Sequence, residues 1–164
     1  MKKNIDLELT VVEKQQLRER KVSLKALRDY APDEIAAMLN ASAERTRELI
    51  ALAEFQGIPS LGIGFAKELI AQGYYTLAQL KGKSAVELFD GYEKHCGCWA
   101  DPCVEDSYRL LVHYIEHRDE NKRWWDFTKE RKAFRAEFGF PADRPVVAWY
   151  ETDQYPKAKA HLKG

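Results

Sequence analysis

The chain has no long apolar run, so no membrane-spanning helix and no membrane partner are expected. It has no excess of either charge. Its 26 basic side chains match 26 acidic ones, which excludes a strongly basic nucleic-acid coat and a polybasic membrane anchor. Cysteine is scarce. Three residues, an odd number, make no disulfide framework, and a reduced, cytoplasmic setting is expected. The opening MKKNIDLELT has two lysines but no apolar stretch after them, so no secretory signal is expected. Catalytic fingerprints are missing too. There is no G-x-x-x-x-G-K-[ST] loop, no G-x-G-x-x-G after a strand and no H-E-x-x-H, so no enzyme, cofactor or small-molecule substrate is expected. A low-complexity linker is also absent, which favours one compact unit over two free domains.

What is present is a chain of 164 residues, 45% of them hydrophobic, enough to bury a core. Its strongest internal signal is a repeat. LRERKVSLKALRDYAPDEI (17–35) aligns without gaps on IAQGYYTLAQLKGKSAVEL (70–88) at an offset of 53. Leu17 falls on Ile70, Ser23 on Thr76, Leu24 on Leu77, Leu27 on Leu80, Glu34 on Glu87 and Ile35 on Leu88. The matched positions are mostly apolar, as a shared core pattern requires.

Each copy reads as a string of short helices. Thr10 followed by Glu13 is a capping box that starts a helix running to about Arg20. Ser23 caps a short helix, Pro32 opens the next, and Ser42 caps a longer one that Gly57 and Pro59 stop. In the second copy a helix starts at Gly62 and ends at Gly73, and Thr76 caps a short helix carrying Leu77 and Leu80. A further helix holds Val86, Leu88 and Phe89. HCGCWADPC reads as a loop, and Asp101-Pro102 opens a helix with Tyr108, Leu111 and Ile115 at helical spacing. NKRWWDFTKERKAFRAEFGF then reads as a charged aromatic helix, with Trp124, Phe127, Phe134 and Phe138 near one face. RPVVAWYE reads as extended with no obvious partner strand, and QYPKAKAHLKG as a polar, frayed tail.

Between the repeats lies IALAEFQGIPSLGIGFAKELI, which resembles a helix-hairpin-helix motif. The turn is Ile58-Pro59-Ser60-Leu61-Gly62, and the small residue four positions on is Ala66. A glycine lets backbone approach a partner closely, and the following helix offers unpaired N–H groups and its positive dipole end. A phosphate oxygen can sit there without any base contact. The candidate contact residues are Ser60, Leu61, Gly62, Ile63, Gly64 and Lys67. Two positions depart from the motif. Ser60 replaces its first glycine, and Gly64 stands where DNA-binding versions often carry a base. In the first repeat Leu7 and Leu9 fall on Ser60 and Gly62, with Asp6 and Glu8 beside them to repel phosphate. One competent hairpin is expected.

The segments IPSLGIGFAKELI, YYTLAQLKGKSAVELF, DPCVEDSYRLLVHY, WWDFTKERKAFRAEFGFPADRP and WYE together resemble the bacterial pathogenicity-locus family, over roughly residues 50–151. Members are often labelled mitomycin-resistance proteins, a label that names no chemistry. The first repeat is also similar to the helical end domain of the bacterial RNA polymerase alpha subunit. These resemblances imply a cytoplasmic, all-helical protein of helix-hairpin-helix type that binds DNA, with no established activity.

Other constellations compete for a role. His95, Cys96, Cys98 and Cys103 offer four zinc-type ligands within nine residues, but in no standard paired spacing, and a reduced loop is the plainer reading. A cysteine nucleophile would need His95 or His113 as base, and nothing in the sequence orients either. Asp101, Glu105 and Asp106 sit at a helix start, where acids suit the dipole. WWDFTKERKAFR interleaves aromatics with Arg123, Lys129, Arg131, Lys132 and Arg135, as single-strand binders do. Nearby acids cancel that charge. The favoured reading docks Trp124, Phe127 and Phe134 on the hairpin core, leaves the charges as a solvated face, and makes Trp125 the exposed aromatic.

The expected fold is all-α, with tandem helix-hairpin-helix repeats in a SAM-like helical domain over residues 1–117. A degenerate repeat spans 1–57 and the second spans 58–117. A C-terminal aromatic helix and extended tail, 118–164, pack on it. The expected function is non-catalytic, weak, sequence-independent DNA binding through backbone-phosphate contacts, with no metal and no cofactor. The alternatives are a protein-interaction module without nucleic acid, which a buried Gly62 or a large exposed apolar patch would favour, and a zinc-stabilised helical protein.

Overall fold

A computed structural model describes residues 4–153; the tail QYPKAKAHLKG lies outside the described residues. The described residues are all-helical, with no strand beyond one isolated bridge. None of their helices is long and apolar enough to cross a membrane. The chain divides into two compact units, Met1–Lys81 and Gly82–Gly164.

The first unit holds α1 (Val11–Glu19), a 3-10 turn (Lys25–Asp29), α2 (Pro32–Leu39), α3 (Ala43–Gln56), α4 (Ile63–Ala71) and the short α5 (Leu77–Leu80). The starts follow local chemistry. Thr10 and Glu13 form the capping box of α1, Pro32 occupies the first position of α2, Ser42 Oγ accepts from Arg45 N at α3, and Thr76 caps α5. Leu52, Phe55, Ile58 and Leu69 are fully buried in the core, with Leu17, Leu27, Ile35 and Leu49 around them. Each such side chain contributes roughly 1.5–3 kcal/mol of burial.

The second unit holds α6 (Ala85–Cys96), α7 (Pro102–His117), a 3-10 turn (Trp124–Phe127), α8 (Thr128–Phe138) and a final 3-10 turn (Trp149–Glu151). Asp101 caps α7 by accepting from Cys103 N. Tyr108 of α7 is fully buried and meets the Phe89 ring edge-on at 6.3 Å. The 3-10 turn at Trp124 and helix α8 both pack on α7.

Four details differ from the sequence reading. The gapless offset of 53 slips within the first helix. Leu17 and Leu69, 52 residues apart, are both buried, and each accepts the matching return bond at 2.9 Å, from Val22 N and from Tyr74 N. In the same register Lys21 (φ 56°) matches Gly73 (φ 90°), and Glu8 (φ 47°) matches Ser60 (φ 72°). The offset becomes 53 again at Ser23 and Thr76, because one more residue separates Gly73 from its cap than separates Lys21 from its own. Second, His95 and Cys96 are not loop but the last turn of α6, which Gly97 ends in the left-handed region. Third, the extended segment has a partner after all. Trp99 N donates to Val147 O and Trp149 N donates to Trp99 O, a one-residue parallel bridge. Fourth, Phe138, read as near the face of Trp124, Phe127 and Phe134, is 65% exposed, whereas Phe127 is buried. Trp125 is exposed, as expected.

Candidate functional site

The hairpin between α3 and α4 begins where Gly57 ends α3. Ile58 and Leu61 drop into the core and hold the turn from below. Between them Ser60 adopts φ 72°, the left-handed conformation that the motif supplies with glycine. A side chain at that φ carries a strain of roughly 1 kcal/mol, and the buried flanks must hold it.

Gly62 is the cap of α4, with φ −100° and ψ −175°, ordinary extended backbone that any residue adopts. No side chain caps α4, and its first turn carries no acid. A Cβ built on Gly62 or on Gly64 would meet no atom within 4 Å. Neither backbone angle nor internal packing therefore requires glycine at Gly62. Both glycines are exposed. They leave the positive end of α4 open. Gly62 is thus not buried, so one condition that would favour a purely protein-binding module is not met.

Lys67, one turn along, is exposed but not free. Its ammonium lies 3.1 Å from the Glu8 carboxylate, an open ion pair of small strength. Glu8 is placed by tertiary contacts. The buried Gln56 side chain donates to Asp6 O and accepts from Asp6 N, which pins the segment before α1 against the end of α3. Arg45 adds a hydrogen bond to Glu8 O and a two-bond fork to Glu13 at 3.0 and 2.9 Å. Arg45 holds the Glu13 carboxyl below its usual value. Only the Thr-x-x-Glu half of this cluster was readable from sequence.

The HCGCWADPC quartet is not gathered into a ligand set. Among the described residues no group of three or more His, Cys, Asp or Glu is placed to hold a metal ion. Cys98 is buried, Cys103 is exposed, and partial burial with Asp101 alongside pushes the Cys103 thiol up, away from a thiolate.

On the last helix Lys129, Glu130, Lys132 and Glu137 are the exposed face expected of them, but Arg131 and Arg135 turn inward onto buried acids. Asp106 is fully buried and accepts from Arg131 Nε at 2.6 Å and from the Thr128 hydroxyl at 2.7 Å. Glu105, 1% exposed, accepts from Arg135 Nε. Glu93, also 1% exposed, takes a fork from Arg144 at 2.7 and 2.9 Å and the Ala100 N–H at 2.7 Å. The four-residue spacing of Arg131 and Arg135 was the available clue. It puts both on one helix face, opposite the adjacent acids Glu105 and Asp106.

Residues 48–133, just over half of the chain, match the family described as Cdd1, Pathogenicity locus. The chain belongs to the pathogenicity locus family. The match begins within α3, covers the whole hairpin turn and α4, and ends within α8. The candidate hairpin is therefore part of what this member shares with the pathogenicity locus family, while the segment carrying Glu8 and Glu13 lies before it. No curated protein and no solved structure matches the chain.

Proposed function

We propose that this protein is a non-catalytic helix-hairpin-helix protein that binds DNA weakly and without sequence preference. The contact is made to backbone phosphate by the α3–α4 turn, through Ser60, Leu61, Gly62, Ile63 and Gly64. Lys67 is the nearest supporting charge. One observation carries the reading. Gly62, at the open N-terminus of a nine-residue helix, is glycine where neither its φ of −100° nor any neighbour within 4 Å requires it. Close approach of an outside partner is the remaining physical use of a missing side chain there, and a phosphate suits the N–H groups and positive dipole end of a helix start. The likeness of the two stretches supports the tandem hairpin arrangement, since left-handed residues recur at Glu8 and Ser60 and again at Lys21 and Gly73.

The test is fluorescence anisotropy with short labelled duplex and single-stranded DNA, at low and at physiological salt. Wild type is compared with Gly62→Glu. Extended backbone and open space at Gly62 let the variant fold, which circular dichroism checks. The expected result is salt-weakened binding that the variant loses. No wild-type binding at low salt, or equal binding by a folded variant, overturns the proposal.

A further inference from the structure

A cavity of about 380 Å³ opens in the second unit, beside α7 and α8. Four cations line it, Arg131, Lys132, Arg135 and Arg144, and carboxylates match the three arginines: Asp106 on Arg131, Glu105 and Asp90 on Arg135, and Glu93 on Arg144. Trp99 and Phe140 supply apolar wall.

The arginines are held in place from behind. Asp106 binds the Nε and Nη2 of Arg131, and Glu93 binds the Nε and Nη2 of Arg144. These carboxylates are buried, so the forks are fixed before any ligand arrives. Neither Arg131 Nη1 nor Arg144 Nη1 has an acceptor among the described residues. Phe140 steadies the site further, with the Arg144 guanidinium 3.6 Å and the Arg135 guanidinium 4.2 Å from its ring centre. Lys132 is exposed and has no carboxylate partner among the described residues. Rigid N–H donors with their other edge satisfied by carboxylates, together with the Lys132 ammonium as the uncompensated charge, match an oxyanion. The volume exceeds a bare phosphate and has apolar wall for an organic part.

We propose that this cavity is a binding site for a phosphate monoester, separate from the hairpin. The ester is either a free small molecule or the phosphorylated end of a nucleic-acid strand. Arg131, Arg144 and Lys132 hold the phosphate, while Trp99 and Phe140 flank the organic group.

The test titrates the isotopically labelled full chain with deoxyadenosine 5′-monophosphate, following the Trp99 indole and arginine side-chain signals by NMR. Deoxyadenosine and inorganic phosphate are the controls. The monophosphate is expected to shift these signals in the millimolar range or below, with deoxyadenosine about tenfold weaker. Lys132→Glu, at an exposed unpaired position, should weaken binding about tenfold, and Lys132→Arg should restore it. Gly62→Glu should leave it unchanged, which separates this site from the hairpin. A 5′-phosphorylated oligonucleotide that binds more tightly than both the monophosphate and its 5′-hydroxyl counterpart identifies a strand end. One that binds no better than the monophosphate identifies a free ester. Absence of shifts with both phosphorylated probes, or equal affinity in Lys132→Glu, overturns the proposal.

Discussion

Helices α1 and α4 are both nine residues long and begin in opposite ways. At α1 every local device is present. Thr10 and Glu13 exchange cap bonds, an acid meets the positive end of the dipole, and Arg45 clamps that acid from α3. At α4 the cap is Gly62, which has no side chain to accept a cap bond, and the first turn has no acid. The same backbone path, including a left-handed residue two positions before each cap, therefore ends once in a self-satisfied terminus and once in an open one. A closed terminus contributes to stability and has nothing left for a ligand. An open one gives up that stability and keeps its donors.

Removing the closure should have the largest effect. Glu13→Ala deletes the cap bond and the Arg45 fork together, and should cost about 2 kcal/mol in urea unfolding. Its pH dependence has a definite sign. Because Arg45 lowers the folded value of Glu13, the stabilisation is complete above the ordinary carboxylate value. It is lost as pH falls through the lowered one. Glu13→Gln should be less stable at neutral pH and flatter below it. Next, Gly62→Asp turns the start of α4 into one like that of α1. It should hold or slightly raise the melting temperature while reducing DNA affinity at least tenfold, two readouts moving in opposite directions. Ser60→Gly releases the strained turn and should add roughly 0.5–1 kcal/mol, measured by denaturant midpoint. The smallest effect belongs to Glu8→Gln. It frees Lys67 and should raise DNA affinity two- to threefold at low salt, steepening the salt dependence by about one phosphate contact.

The caps show how much of the fold is legible locally. Thr10, Pro32, Ser42, Thr76 and Asp101 each sit where sequence rules put them, since capping depends on residues two or three positions apart. The turn at Ser60 and the helix start at Gly62 were legible for the same reason. The role of the acids was not. Glu105 and Asp106 look like dipole-matching residues at the start of α7, and they are buried counter-ions for arginines 25 to 30 residues further on. Glu8 looks like a repelling neighbour in a failed hairpin, and it is the partner of Lys67 in the other one. Phe138 shares a helix with Phe134 and their rings lie 4.8 Å apart, but α8 ends in solvent before Phe138 reaches a core.

The amino-acid sequence by itself determined the helical class, the helix starts, the hairpin turn and the absence of a membrane-spanning pattern. Each depends on composition or on contacts within one turn of chain. Only the tertiary structure decided which charges are buried, that Lys67 is paired, and that four cations gather around one cavity. Those outcomes are set by side chains 20 to 60 residues apart. Their energies come from desolvation and mutual geometry, and neither quantity exists until the chain has folded.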